Sequence, residues 1–206
     1  LLAAGLGLAA LTFARRNPTR YMLDTLSQSW LAATPVIVLF YLGITAFTTL
    51  KVAIPDVVPF YADRALVELD LWLHGTDPWT WAHSVVPEPF SAVIFAGYAY
   101  VWHVQWFGIL LFVAFWRDPV RRLRYLWAFA LTTILCGTVL ATLLSSAGPI
   151  FHDQFYGGDR FAGLRTALTE NGSAAPVYIY ANYLLAAYRS GRPELGSGIS
   201  AMPSMH

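Results

Sequence analysis

Charge is what this sequence has least of. Only 12% of its 206 residues are Asp, Glu, Lys or Arg, where a soluble domain carries about 25%. So few charges do not cover a water-facing surface. With 57% hydrophobic residues and a mean hydropathy of +0.51, the composition is that of a membrane protein. Basic and acidic residues nearly cancel, at 13 against 12, which excludes the strongly basic face that nucleic acid requires. Cysteine is almost missing. Cys136 stands alone, so no internal disulfide forms and the spacings of a cysteine-based zinc site are absent. In its apolar run Cys136 reads as a small packing residue, and neither a metal nor a cofactor is expected. No internal repeat or low-complexity tract occurs. Leu1 opens straight into LLAAGLGLAALTFA (residues 1–14) with no Met or basic flank ahead of it, and no small-residue cleavage site follows. ARRNPTR comes next and reads as the cytoplasmic end of a spanning helix whose beginning is missing.

What is present is long apolar runs. A spanning helix needs about 20 mostly apolar residues. Residues 31–50 qualify, with Trp30 and Lys51 as interface anchors; so do 90–116, which contains His103, and 125–146. Pro35 is expected in the first turn of its helix, where a missing N–H costs little. The flanks orient these spans. Residues 15–30 hold three arginines against Asp24, and 117–124 hold four arginines against Asp118. Residues 51–89 hold Lys51 and Arg64 against six acidic residues, and 147–206 are balanced. Arginine excess marks the cytoplasmic side, so 51–89 and 147–206 are expected to face out.

The outer segments carry helical signals of their own. In YADRALVELDLWLHG (61–75), Ala62, Leu66, Leu69 and Leu73 fall at helical spacing away from Asp63, Arg64, Glu68 and Asp70. This pattern predicts a short interfacial helix stopped at Gly75. Residues 160–172 predict another, and 175–191 a third that starts at Pro176 and ends near Gly191. The expected fold class is therefore all-α: a polytopic membrane bundle with short interfacial helices on its outer face.

The chain closes on GISAMPSMH (198–206). Pro203 suits the first position of a helix, and Gly196 and Gly198 let the backbone turn tightly ahead of it. A helix N-terminus is an anion site. Ser204 adds a hydroxyl donor, and His206 gives or takes a proton near neutral pH. Together they suit a phosphate ester. The alternative is a helix that merely begins Pro-Ser, with a solvated histidine beside it. His152 and Asp153 follow Gly148-Pro149 at the outer end of a span, and either line the site or form a surface turn. His103 reads as a neutral histidine bonded to a neighbouring helix, and His74 and His83 as exposed.

GISAMPSMH resembles the second signature motif of the phosphatidic-acid-phosphatase type 2 superfamily. Its Pro-Ser-x-His form is similar to that of the inositol-phosphorylceramide-synthase-like branch, as are KVAIPDVVPFYADRALVELDLWLHGTDPW (51–79) and SSAGPIFHD (145–153). The resemblance covers about residues 30–206. It implies part of a six-helix core with an outer-face site, to which 1–14 is an added N-terminal helix. It also implies that Ser204 binds phosphate and that His206 is the general acid. The family's third motif, with an arginine, a nucleophilic histidine and an aspartate, is not found in residues 1–206, and neither is its first motif, Lys-x6-Arg-Pro. On this resemblance the chain is expected to be a piece of a longer protein, without turnover by itself. Arg160, Arg165 and His152 are the candidates for further phosphate binding; the arginines read equally as solvated charges on a cap helix.

The function expected is that of a lipid phosphatase or a phospho-headgroup transferase, acting on a phospholipid or isoprenoid-type lipid phosphate. The expected location is the outer face of a bacterial-type plasma membrane, with membrane lipids as the other partners. A non-enzymatic transporter or assembly subunit is the alternative, although the three full spans show few of the midplane polar residues a transporter needs. A haem carrier needs axial histidines on facing spans, and His103 alone lies mid-span.

Overall fold

The computed structural model describes residues 17–204, apart from Trp102, Asn171, Arg192, Pro193 and Leu195. The expected helix over 1–14 and His206 lie outside the described residues. Among those described the chain is helical and has no strand.

Helix α1 (Pro18–Val57) is 40 residues long, or about 60 Å at 1.5 Å per residue, roughly twice the thickness of a bilayer's hydrocarbon core. The expected span 31–50 is its middle. Pro18 starts the helix where its missing N–H is harmless, and no glycine interrupts residues 19–42. Pro35 is consequently an interior proline rather than a first-turn one, a break in the hydrogen-bond ladder that spanning helices tolerate.

The expected span 90–116 is helical over α4 (Glu88–Ala96), continues through π-helical turns at Gly97–Val101, and is helical again over α5 (Val104–Ala114). Helix α6 (Pro119–Leu143) covers the third expected span but starts and stops earlier. Asp118 causes the early start: its Oδ1 accepts the Val120 and Arg121 N–H groups at 3.0 and 3.1 Å, a side-chain cap. The arginines 121, 122 and 124 thus ride on the first turns of a helix, not on a loop. Ser27–Val57 and Pro119–Leu143 are long and apolar enough to cross a membrane. Both keep large apolar side chains exposed, Leu31, Leu39 and Leu42 on one and Trp127, Leu131 and Ile134 on the other.

The chain divides into two compact units. In the first, residues up to Thr45 combine with Tyr100–Thr132. Ala33 and Ala114 are fully buried beside Phe115, with Val36 and Ile37 packed on them. Phe40 meets Phe107 edge-on at 5.7 Å and Phe129 at 6.0 Å. Arg117 donates to Gln28 Oε1 at 3.0 Å.

The second unit, Ala46–Ala99 with Thr133–His206, holds the short helices. These are α2 (Ala62–His74), α3 (Pro78–Val85), α7 (Pro149–Tyr156), α8 (Ala162–Glu170) and α9 (Ala175–Ser190). The expected helices at 61–75, 160–172 and 175–191 are all found. Gly75 and Gly191 end two of them in the left-handed conformation. One core joins Val67 to Phe161, Leu164, Leu168 and Ala174. Another joins Ala147 and Phe151 to Ala181 and Ile199. The buried face of α2 is only partly the expected one. Ala62, Asp63 and Val67 are buried, whereas Leu69 and Leu73 are about half exposed, at 48% and 58%. The helix is rotated so that a carboxylate, not a leucine stripe, faces inward.

Candidate functional site

The second unit builds a site from two loops that share backbone hydrogen bonds. The first, residues 145–148, follows α6, and Ser145, Ser146, Ala147 and Gly148 are all buried. A buried loop must satisfy its backbone polar groups, and this one does so with distant residues. Ser145 O accepts from Tyr61 N and Ala62 N, both at 3.1 Å, and Ser145 Oγ donates to Val58 O at 2.9 Å. Ala147 N and Gly148 N donate to the two carboxylate oxygens of Asp63 at 2.8 and 2.7 Å. Asp63 lies in the first turn of α2, where the helix dipole favours a negative charge. Its third donor is Tyr156 Oη, at 3.1 Å, which also donates to Phe60 O. Burial and the adjacent Asp63 push the Tyr156 phenol up to about 12.

The second loop is residues 196–204. Gly196 takes φ +80°, and Tyr180 Oη donates to its carbonyl at 2.9 Å. Ser197 closes a tight turn, its Oγ accepting Glu194 N and its N–H donating to Glu194 O. Ser197, Gly198 and Ile199 are buried, Ile199 in the core with Ala147 and Phe151. Ala201 N donates to Ser146 O at 2.9 Å, and a Cβ on Gly148 would lie 3.0 Å from Ala201 Cβ. The two loops are therefore stitched together. The Met202-Pro203 peptide is cis, and residues 201–204 are not helical. The expected helix start at Pro203 is thus not seen among the described residues. Ser204 is exposed.

His152, Arg160 and Arg165 fall elsewhere in this unit. His152 is on α7, a helix where sequence left open a surface turn, with Pro149 in its first turn. Its side chain is 12% exposed and its Nδ1 stands 3.4 Å from Asp153 Oδ1. The ring packs between Tyr156 and Phe161 at 4.9 and 5.2 Å. Arg165 pairs with Asp153 at 2.5 Å and Arg160 with Asp77 at 2.9 Å. Burial alone would raise the Asp153 carboxyl. The Arg165 hydrogen bond, the Phe161 N–H and His152 outweigh it and hold the group below the ordinary aspartate value. The two arginines are thus paired with carboxylates, Arg160 in an exposed position. Among the described residues neither they nor His152 bonds to residues 196–204.

Two residues that sequence reasoning passed over lie closer. Asp63 is one. The other is Lys51, on the last turns of α1. A Cβ on Gly198 would stand 2.7 Å from Lys51 Cγ and 3.0 Å from its carbonyl carbon, so the lysine backbone and side-chain root press on the Gly-x-Ser run. Lys51 is half-buried, and among the described residues its ammonium has no hydrogen-bond or ion-pair partner. The sequence signal is a lone cation at the end of an apolar run, which also describes an interface anchor.

No curated protein and no solved structure matches the chain. The PAP2 superfamily matches it over residues 64–206, a stretch that takes in most of α2, both loops and the terminal Pro-Ser-x-His. That coverage, well over half the sequence, together with two helices able to cross a membrane, suggests a membrane protein with phosphatase-type chemistry: the chain belongs to the PAP2 superfamily, whose members are phosphatases and phosphotransferases.

Proposed function

We propose that this chain carries the phosphate-binding and proton-donating half of a multi-pass membrane enzyme that cleaves a lipid phosphate ester at the outer membrane face. The observation that carries the reading is the Lys51 ammonium, unpaired among the described residues, on a lysine packed against Gly198 of the Gly-x-Ser…Pro-Ser-x-His run. An unpaired, half-buried ammonium is costly unless an anion completes it, and a phosphoryl group is the anion this family handles. Lys51 then takes the part first sought in Arg160 and Arg165, which are already paired with carboxylates.

In this scheme Ser204 and Lys51 hold the non-bridging oxygens. The third-motif histidine that the family resemblance calls for is not among residues 1–206; it attacks phosphorus from the far side. The bond from phosphorus to the leaving oxygen breaks, and His206 donates its proton to that oxygen as the lipid alcohol departs. Water then takes the phosphoryl group from the phosphohistidine in a phosphatase. In a transferase, as the resemblance to the synthase-like branch favours, a polyol or lipid hydroxyl receives the phospho-headgroup.

The test uses the full protein in membranes. His206→Ala should lower turnover of a lipid phosphate ~10²–10⁴-fold, the usual loss of a general acid, and should matter far less for a nitrophenyl ester, whose leaving group needs little protonation. Equal losses on both substrates would remove His206 from the acid role. Lys51→Ala should weaken inorganic vanadate inhibition as well as turnover; unchanged inhibition would reject the cation assignment.

A further inference from the structure

We infer that Asp63 is a positioning residue for the proposed phosphate-binding loop: its buried carboxylate fixes the 145–148 loop, which in turn holds the backbone at Ala201, just ahead of Pro-Ser-x-His. The inference rests on the proposed function for its catalytic consequence, though its structural half stands alone. Three observations converge on it. Asp63 is only 3% exposed, yet its donors are two backbone N–H groups and one phenol, with no basic side chain among its hydrogen-bond partners. The residues it holds are consecutive, so the carboxylate sets the direction of the chain at Ala147-Gly148 with both its oxygens. Immediately before them, Ser146 O receives Ala201 N, and beside them Gly148 leaves only enough room for Ala201. Ser146 Oγ is buried without a partner among the described residues, so this residue is held through its backbone. Ala201 is three residues from Ser204 and five from His206.

The chemistry of the donor set makes the requirement specific to a carboxylate. Two N–H groups of adjacent residues converge on one side chain, so it must offer two acceptors and no donor. Asparagine offers one acceptor and turns an NH₂ toward the other N–H. The Asp63→Asn loop would therefore shift by the space that donor needs, and the shift would pass to Ala201 through the Ser146 hydrogen bond. A misplacement on the order of 1 Å away from the chemistry costs about 10²-fold in rate.

The experiment compares Asp63→Asn with Val67→Ala in the full protein. Val67 lies one turn along the same helix, is buried in a core with Phe161 and Leu164, and makes no contact with the chemistry proposed. Hydrogen exchange of peptides covering 143–149 and 199–202 reads the loop directly. Loss of a charge-assisted bond should speed exchange there roughly 10- to 100-fold in Asp63→Asn, and Val67→Ala should leave it unchanged. Turnover of a lipid phosphate should fall roughly 10- to 100-fold in Asp63→Asn and stay within about twofold in Val67→Ala at matched thermal stability. Unchanged exchange in Asp63→Asn overturns the clamp. Faster exchange with unchanged turnover overturns its positioning role. Equal losses of turnover in the two variants reduce Asp63 to general stability. If wild type shows no turnover and no vanadate binding, the proposed function fails, and exchange still decides the clamp. If Asp63→Asn does not accumulate, Tyr156→Phe removes one donor to the same carboxylate and leaves both backbone bonds. Faster exchange at 143–149, without the same change in Val67→Ala, is then the expected result, and its absence overturns the inference.

Discussion

Replacing Gly198 with alanine adds one methyl group at a crowded glycine of the second unit. The new Cβ would stand 2.7 Å from Lys51 Cγ and 3.0 Å from both Lys51 Cβ and its carbonyl carbon. Non-bonded carbons rest at about 3.5–4.0 Å, so the overlap is at least ~0.5 Å at the carbonyl carbon and more at Cγ. The side chain of Lys51 yields by changing rotamer. Its carbonyl carbon belongs to α1 and moves only with the helix. On the other side Gly198 is flanked by Ser197 and Ile199, both buried. The strain therefore divides between a displaced ammonium and a displaced 196–201 loop, and overpacking of this kind costs about 1–3 kcal/mol. Either displacement separates the cation from the phosphate position, so turnover should fall roughly 10- to 100-fold.

Gly43→Ala is the matched control. A Cβ there meets nothing within 4 Å, and the substitution gains about 0.8–1 kcal/mol of helix propensity. The assay is lipid-phosphate turnover and thermal unfolding of both variants, repeated in a Lys51→Ala background. Without Cγ the closest contact vanishes, and without the ammonium there is no cation left to displace. Gly198→Ala should then cost much less activity than it does beside lysine, a coupling of the kind expected between residues in contact. If Gly198→Ala behaves as Gly43→Ala does, the reasoning from crowding is wrong. If its cost is the same with and without Lys51, the loop matters and the lysine does not.

Two further predictions concern charge and topology. Asp153 is 3% exposed beside Arg165, which is 26% exposed, so Asp153→Asn should destabilise the fold by about 1.5–3 kcal/mol near neutral pH, the scale for a hydrogen bond to a charged group. The native carboxyl is held below its ordinary value, so this stability is present above the unfolded value of about 3.9 and is lost as pH falls through the lower folded value. The gap in thermal stability between wild type and variant should begin to narrow below about pH 4, and a gap constant from pH 7 to pH 3 would refute the assignment. For topology, single cysteines at Asp70 and Arg122, in a background where Cys136 is replaced by alanine, should label differently in intact cells. A membrane-impermeant reagent should reach the first and not the second, and equal labelling would reject the proposed orientation.

Local signals carried the sequence a long way in this chain, and its long-range ones carried almost nothing. Gly75 and Gly191 end their helices and Pro176 opens one, as expected, because each acts through φ or a missing N–H within its own turn. Asp118 was counted as a lone charge in a basic loop, although its capping role is also local. Asp63 was different in kind. In the sequence it sits beside Arg64 on an amphipathic pattern, and helical period assigns such a pair to water. Its partners are 84 and 85 residues away, supplied by a loop whose need for an acceptor is invisible until the chain is folded.

The same holds for the cation. Arg160 and Arg165 lie near the motif in sequence, but nearness in sequence says little about which carboxylate a side chain faces: Arg160 meets Asp77 and Arg165 meets Asp153. Lys51 lies much further away in sequence, and only the absence of a Cβ at Gly198 lets it approach. Pro-Ser-x-His points to the proposed phosphate site because its own few residues would bear the chemistry. What aims those residues is a glycine that admits a lysine and a carboxylate that holds a loop, and neither requires a recognisable spacing. The residues that surround the motif are therefore marked by buried backbone N–H groups and crowded glycines rather than by charge: the first lead to Asp63 and the second to Lys51.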